Sequence, residues 1–297
     1  MHPHAPRGHL YLGCPVWACA DWRGSLYTAD AARDDWLGQY AQVFKTVEGN
    51  STFYGLPAAA SVRRWAASVP DGFRYCFKFP REVTHDRKLV DATAATAAFL
   101  ERMDLLRGRL GPLLLQLGPN FGARDLPALD AYLDGLGHGR AICVEVRHPD
   151  FYDEGTAEHA LDALLESHGA LRGNFDTADV FAVAADDETT VISQSRKPRV
   201  PRRATVTGGN AFVRFVGRNR VEDSAPALAF WVEQVSAWLA AGIDVHFFTH
   251  TPDDAHAPAL ARLFHRLLAA QDPRVEPLPP FPGEVAQALL PAQASLF

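Results

Sequence analysis

The sequence predicts an α/β fold, a single (β/α)8 barrel of the TIM type with parallel strands inside and helices outside. Eight short apolar runs alternate with longer amphipathic runs along the chain, which is the element order of such a barrel. The run at residues 110–117 is rich in leucine, and strands buried on both faces of a parallel sheet have that composition. No change in composition marks a second domain, so a single barrel is the expected architecture.

Apolar periodicity assigns the elements one by one. The strands are predicted at residues 9–14, 43–50, 73–79, 110–117, 141–146, 170–175, 211–216 and 245–249. The helices are predicted at residues 34–42, 58–69, 92–106, 126–136, 157–167, 225–241 and 257–270. Trp36 and Tyr40 recur at helical spacing in the first helix, and Val62 and Val69 share one face of the second before Pro70 ends it.

A doubly wound open sheet is the alternative that this alternation allows. Such sheets bind phosphate at a glycine-rich turn that follows a strand and opens a helix, whereas Gly208 and Gly209 precede a strand here. We therefore predict one barrel domain over residues 1–272. The proline-rich residues 273–297 are predicted to form a tail that wraps the surface.

The chain has the composition of a globular protein outside the membrane. Its 297 residues are 47% hydrophobic, enough for a sizeable core. No apolar run approaches the roughly 20 residues that span a bilayer. The first residues lack the apolar centre of a secretory signal, so we expect a cytoplasmic location. The four cysteines are scattered, which favours buried free thiols over disulfides.

Charged residues interrupt the predicted strands near the ends where barrel enzymes carry their chemistry. The candidate catalytic residues are Glu48, Lys78, His85 and Glu145. Buried charges must be paired, and Lys78 with two arginines could balance Glu48 and Glu145 inside the barrel mouth. Either glutamate is then a candidate base, and Lys78 or His85 a candidate acid or electrophile.

A second group of polar residues is predicted to bind the substrate. They are Asn50, Tyr54, Gln116, Arg147, His148, Arg214 and His250. Arg147 and Arg214 can grip a carboxylate or phosphate in a fork, so we expect a small anionic or phosphorylated substrate and a hydrolase or lyase type of reaction. The alternative is a non-catalytic barrel in which these charges form only an internal ion-pair network.

The cofactor is left open by the sequence. A divalent metal is a possible but disfavoured ligand, held by Glu48, Glu145, His148 and Asp176. No closely spaced histidine motif supports it, and the neighbouring cations oppose it.

Several motifs resemble the domain of unknown function 72 family, also called YecE-like, along almost the whole chain. They are Gly-Cys-Pro-Val-Trp at residues 13–17, Thr-Val-Glu-Gly-Asn-Ser-Thr-Phe-Tyr at 46–54, Phe-Lys-Phe-Pro at 77–80, Gly-Pro-Leu-Leu-Leu-Gln-Leu at 111–117 and Val-Glu-Val-Arg-His at 144–148. The resemblance implies a TIM-barrel-like fold and no established activity.

The last third departs from the pattern of that family. Val216 stands where relatives tend to have a histidine, Thr249 and His250 replace asparagines at the end of the eighth strand, and Gly118 interrupts a usual double proline. His250 is the residue that we expect to compensate.

Two further segments suggest partners. A net charge of −6 disfavours a protein that coats nucleic acid, yet residues 196–203 place five cations in eight positions, either as a solvated loop or as a flap that contacts phosphate. The last five residues resemble the peptide by which bacterial replication and repair proteins dock on the sliding clamp, with Gln293, Leu296 and Phe297 as the contact residues. The competing hypothesis is therefore a DNA-maintenance accessory protein that is tethered to the clamp.

Overall fold

The computed structural model describes residues 7–185 and 187–289. Its centre is one sheet of eight parallel strands. The strands are β1 (Leu10–Cys14), β2 (Thr46–Gly49), β3 (Arg74–Phe77), β4 (Leu113–Gln116), β5 (Ile142–Glu145), β6 (Leu171–Asp176), β7 (Asn210–Val216) and β8 (Asp244–His250). The helices are α1 (Trp36–Val43), α2 (Ser51–Tyr54), α3 (Ala59–Ala67), α4 (Thr93–Asp104), α5 (Leu126–Leu136), α6 (Thr156–Ser167), α7 (Glu188–Arg196), α8 (Ala225–Ala240), α9 (Ala257–Gln271) and α10 (Pro282–Ala288).

The sheet curls into a nearly closed barrel. Its strand order is β3-β2-β1-β8-β7-β6-β5-β4, so β3 and β4 are the two edges. These edges meet, because the amide of Gly111 donates to the carbonyl of Tyr75 at 2.8 Å and the amide of Phe79 to the carbonyl of Leu114 at 2.9 Å. The predicted TIM-type barrel is confirmed, and the open doubly wound sheet is not the fold that forms.

Most predicted elements are present, and α5 has the predicted bounds. The main difference is at β2, which begins at Thr46, whereas Val43 ends α1. Val43 follows Tyr40 by three residues and shares the buried face of that helix, so packing overrides its preference for a strand. The short helices α2, α7 and α10 were not predicted, because such segments carry too few apolar repeats.

Small and apolar side chains fill the middle of the barrel. They are Cys76, Leu114, Cys143, Leu171, Phe212 and Phe248, each almost fully buried. A larger apolar core lies between the strands and the surrounding helices. All four cysteines are free thiols, and the prediction that they are buried is confirmed for Cys14, Cys76 and Cys143, whereas Cys19 is half-buried. With its centre filled, the barrel leaves room for polar chemistry only at its two ends.

The segment after α9 packs against the barrel as far as residue 289. Phe281 is buried, Arg262 of α9 pairs with Glu284 at 2.9 Å, and Gln287 donates to the carbonyl of Gly24. A side chain at Gly283 would lie 2.3 Å from the carbonyl oxygens of Ser25 and Tyr27, so only glycine permits this close approach.

Within residues 7–185 and 187–289, no helix has the length and apolar character needed to cross a membrane.

Candidate active site

Three charged side chains from distant strands meet near the carboxyl end of the barrel. Arg214 of β7 binds both carboxylate oxygens of Glu48 of β2, with Nε 2.5 Å from Oε2 and Nη2 2.9 Å from Oε1. Its Nη1 lies 2.6 Å from Oε2 of Glu145 on β5. All three side chains are buried. One guanidinium therefore bridges two carboxylates in a nearly dry environment, where such contacts are strong.

Two further cations complete this group, the charge cluster of Glu48, Lys78, Glu145, Arg147 and Arg214. Nζ of Lys78 lies 3.2 Å from Oε1 of Glu48, and Nη2 of Arg147 lies 2.9 Å from Oε1 of Glu145. Their side chains are 11% and 16% exposed, whereas the two glutamates are fully buried. Three cations minus two carboxylates leave one positive charge in excess, and the partly exposed cations can present it to a ligand.

Strand register explains why these residues converge. Gln116 pairs with Glu145 across β4 and β5, and Phe175 pairs with Arg214 across β6 and β7, so each pair points to the same side of the sheet. The ring centre of Phe175 lies 4.8 Å from the guanidinium carbon of Arg214 and 4.9 Å from that of Arg147. The ring thus provides a cation–π surface that aligns both arginines.

The cluster alters the proton affinities of its members. Burial opposes the ionisation of Glu48, but Arg214 and Lys78 outweigh it and hold the pKa of that carboxyl well below its ordinary value. Burial is likewise outweighed at Glu145 by Arg214 and Arg147, which lower its pKa. Burial and the nearby Arg214 lower the pKa of Lys78 to about 8. Both carboxyls are therefore ionised at neutral pH, and the ammonium is the group nearest to titrating there.

His250 reaches the cluster from the end of β8. Its Nε2 lies 3.5 Å from Oε2 of Glu48 and its Nδ1 lies 3.7 Å from Oδ1 of Asp254. Burial lowers the pKa of His250, so the ring is neutral at pH 7. The ring thus lies beside Glu48, and its compensation for the histidine that Val216 replaces stays a prediction.

Unpaired polar atoms surround the cluster. Oδ1 of Asn50, Oε1 of Gln116 and Nε2 of His250 are buried and have no hydrogen-bond partner in the part of the chain that the structure describes. Asn50 uses its amide nitrogen to donate to the carbonyl of Pro15 at 2.9 Å. Nε2 of His250 nevertheless faces Oε2 of Glu48 at 3.5 Å. Buried polar atoms are nearly always satisfied, so the oxygens of Asn50 and Gln116 indicate places where a ligand or water would bind.

His85 lies beside the cluster on a wide helical turn, Glu82–Asp86. Its Nδ1 lies 2.9 Å from the hydroxyl of Thr84, and its ring packs edge-on against Phe53 at 5.1 Å. Burial and the charge of Arg147 lower the pKa of His85, so this imidazole is neutral at pH 7 and can accept a proton.

The remaining predicted binding residues lie farther from the charges. The side chain of Tyr54 is 83% exposed and packs on the ring of Phe53 at 5.1 Å. Nδ1 of His148 accepts a hydrogen bond from the backbone amide of Asp150 at 3.2 Å. His148 thereby caps the short helical turn that follows it. Neither side chain makes a hydrogen bond or ion pair with the charge cluster among the described residues.

Of the four residues in the metal hypothesis, Glu48 and Glu145 meet at Arg214, whereas Asp176 is engaged elsewhere. Asp176 accepts hydrogen bonds at 2.7 Å from Trp231 of α8 and from Arg202, so it serves the contact between β6 and the outer layer. Among residues 7–185 and 187–289, no group of three or more His, Cys, Asp or Glu side chains is arranged to hold a metal ion.

The basic segment at residues 196–203 is tied down by internal contacts. Arg202 pairs with Asp176 at 2.7 Å, and Arg203 pairs with Glu158 at 2.7 Å and donates to the carbonyl of Tyr152 at 2.8 Å. These two arginines are therefore engaged in internal ion pairs, and the contact of this segment with phosphate stays a prediction.

Sequence reasoning missed Phe175, Lys197 and Asp254. Burial lowers the pKa of Lys197, and the charge of Asp254 opposes that shift. Lys197 stands in the basic segment and could have been singled out there. Phe175 and Asp254 gave no signal, because an aromatic strand residue and a loop aspartate are ordinary in sequence.

Comparison with known proteins agrees with this architecture. Residues 11–284 match the family described as protein of unknown function DUF72. The UPF0759 protein YecE of Escherichia coli K12 is 34% identical over 97% of this chain and 100% of its own length. A DUF72 family protein from Thermotoga maritima has a TM-score of 0.66 and 21% identity over 88% of this chain and 99% of its own. One from Enterococcus faecalis has a TM-score of 0.66 and 18% identity over 87% and 95%.

Proposed function

The chain belongs to the DUF72 family of proteins of unknown function, and from its own site we propose that it is an enzyme that acts by acid–base chemistry on a small, hydroxylated anion. The substrate class includes phosphate monoesters. The supporting observation is the charge cluster, in which three cations face two carboxylates and the partly exposed cations are Lys78 and Arg147. A bound anion would neutralise the excess charge, which is costly to leave uncompensated in a buried site.

The proposed binding mode uses the unpaired atoms beside the cluster. Lys78 and Arg147 contact the anionic group, and the free oxygens of Asn50 and Gln116 accept hydrogen bonds from substrate hydroxyls. A site with fixed donors and acceptors discriminates strongly against a molecule that lacks the matching groups. Tyr54 and His148 would contact only the distal part of a larger substrate.

The proposed proton carriers are Lys78 and His85. A pKa of about 8 lets Lys78 gain and lose a proton near neutral pH, and neutral His85 can accept one. Glu48 and Glu145 are ionised and engaged by Arg214, which makes them weak bases. Their role in this proposal is to hold Arg214 and to set the proton affinity of Lys78.

A metabolite screen with matched variants tests this proposal. In a panel of phosphate monoesters and hydroxy acids, Lys78→Met should lower turnover at least about 100-fold, the usual contribution of a positioned acid or base. Arg147→Met should lower turnover at least about tenfold at low substrate concentration, because a hydrogen bond to a charged group contributes about 1.5–3 kcal/mol to binding. Exposed Lys45 and Arg220 provide the controls, since Lys45→Met and Arg220→Met should leave turnover unchanged. Turnover that stays at the wild-type level in both cluster variants would contradict the proposal. Absence of any anion binding by the wild type would support the non-catalytic ion-pair network instead.

A second proposal concerns the C-terminal peptide, whose residues Gln293, Leu296 and Phe297 lie outside the described part of the chain. This proposal is supported by the resemblance of the last five residues to clamp-binding peptides. Removing residues 293–297 should abolish binding to the bacterial sliding clamp, measured by surface plasmon resonance with immobilised clamp. Replacing Leu296 and Phe297 by alanine should have the same effect, because these apolar side chains would fill the clamp pocket. Equal affinity of the full and shortened chains would remove the DNA-maintenance hypothesis.

A further inference from the structure

A second polar cavity opens at the other end of the barrel. Its volume is about 600 Å3, within the range of ligand sites. Residues at or near the starts of β1, β3, β7 and β8 line it, including Tyr11, Arg74, Asn210 and His246. Because the filled barrel centre separates the two ends, this amino-end cavity is distinct from the charge cluster.

The floor of the amino-end cavity is a stacked pair of rings. The rings of Tyr11 and His246 lie 4.6 Å apart at an angle of 9°. Nδ1 of His246 lies 3.8 Å from Sγ of Cys76, which lies 3.7 Å from the hydroxyl of Thr46. That hydroxyl donates to the carbonyl of Arg74 at 2.7 Å.

This chain of contacts links His246 to the backbone of β3. Thr46 gives its only proton to Arg74, so the thiol of Cys76 can donate either to Thr46 or to Nδ1 of His246. Nε2 of His246 is an acceptor in the first case and a donor in the second. Burial lowers the pKa of His246 to about 3, which keeps the ring neutral. Nε2 has no hydrogen bond to any residue within 7–185 and 187–289.

The wall of the amino-end cavity carries an excess of positive charge. Three arginines, Arg74, Arg107 and Arg140, and two acids, Asp104 and Asp244, line it, and three minus two leaves one positive charge. Arg140 forms an ion pair with Asp104 at 2.7 Å. Within residues 7–185 and 187–289, Arg74 donates only to the backbone carbonyls of Asp71 and Phe73. Arg107 has no hydrogen bond or ion pair with another described side chain.

One of these acids, Asp244, also provides a hydrogen-bond acceptor in the amino-end cavity. Oδ1 of Asp244 accepts from the backbone amide of His9 at 2.7 Å, and its second oxygen has no hydrogen bond in the described part of the chain. The cavity thus combines two available guanidinium donors with one acceptor, the free oxygen of Asp244. Nε2 of His246 adds a second polar atom, whose role depends on the tautomer. Leu110 and Pro112 supply an apolar wall beside them.

We propose that the amino-end cavity binds a phosphate monoester through Arg74 and Arg107, with the free oxygen of Asp244 accepting a hydrogen bond from the P–O–H of its monoanion. A phosphate monoester has a second pKa near 6 and carries an O–H for part of the time at neutral pH. A sulfate ester has no such proton, so its oxygens would face the lone pairs of Asp244 without a hydrogen bond. The volume beyond the phosphate accommodates a small organic group against Leu110 and Pro112.

Phenyl phosphate and phenyl sulfate form a matched pair of probes for this site. Titrated into the full-length protein at pH 6, phenyl phosphate should shift the ring ¹⁵N resonances of His246 and bind at least tenfold more tightly than phenyl sulfate. Arg107→Met should weaken the binding of phenyl phosphate, measured at the His246 resonances, at least tenfold. The substitution should not disturb folding, because the side chain of Arg107 is exposed. Arg147→Met, at the opposite end of the barrel, should leave the response of the His246 resonances to phenyl phosphate unchanged.

Three results would overturn the proposal. They are a His246 resonance that does not respond to phenyl phosphate, equal affinity for the two probes, and an Arg107→Met variant with wild-type affinity. The outcome is independent of the proposed enzyme activity, because His85 and His250 report the charge cluster and His246 reports the amino-end cavity.

Discussion

Replacing Arg214 by methionine is expected to lower the free energy of unfolding by about 3–5 kcal/mol, the usual cost of removing one partner from a buried ion pair. Arg214 contacts both oxygens of Glu48 and one oxygen of Glu145. Without it, two fully buried carboxylates lose their main counter-charge, and Lys78 and Arg147 each reach only one of them. Chemical denaturation of the two proteins measures the difference.

Arg220→Met is the matched control for this measurement. Arg220 lies six residues after Arg214, its side chain is 85% exposed, and its ion pair with Asp223 spans 3.5 Å. Surface pairs of this kind contribute at most about 1 kcal/mol, so the control should remain close to the wild type. A cost below about 1 kcal/mol for Arg214→Met would mean that water reaches the carboxylates and that the cluster is not buried as described.

Acid pH is expected to destabilise the protein through the same two carboxyls. Both have a pKa below the ordinary value of 4.5 in the folded chain. Below pH 4.5 the unfolded chain takes up these two protons first, so it binds more protons than the folded chain and stability falls as the pH falls. The slope reaches about 1.4 kcal/mol per pH unit for each carboxyl, and the contribution is fully lost once the pH is below the folded pKa.

The decisive comparison is between the wild type and a variant that combines Glu48→Gln, Glu145→Gln and Arg214→Met. Denaturation midpoints between pH 6 and pH 3 should fall less steeply for the variant, because it lacks both protonation steps. If the variant folds poorly, ¹³C resonances of the two carboxyl carbons in the wild type provide the second measurement. Either carboxyl titrating at or above pH 4.5 would contradict the prediction.

Much of the fold could be read from local pattern. The leucines of β4 and the periodic apolar residues of α5 lie where the sequence places them, because burial on both faces of a strand or along one face of a helix leaves a repeating trace. The boundary at Val43 was wrong, because a single β-branched residue suits a strand or the end of an amphipathic helix. The segment at residues 273–289 was predicted only as a surface tail, yet it contains α10 and buries Phe281.

The site could be predicted as a set of residues but not as a geometry. Polar residues near the ends of apolar strands pointed to Glu48, Lys78, Glu145, Arg147 and Arg214, since a charge inside such a run needs a partner when it is buried. The same rule also selected Asp176, whose side chain faces Trp231 instead. Alternation along a strand shows that neighbouring residues point to opposite sides, but it does not show which side faces the barrel interior.

The sequence by itself determined the barrel, its order of elements, the family and the residues that carry charge into the core. Only the tertiary structure decided that Arg214 joins Glu48, 166 residues away, to Glu145, that Arg202 and Arg203 are held by internal ion pairs, and that a second cavity lies behind His246. The physical reason is that local periodicity reports burial, which is a property of one segment, whereas proton affinity and ligand binding depend on which charges from distant segments share the same few ångströms.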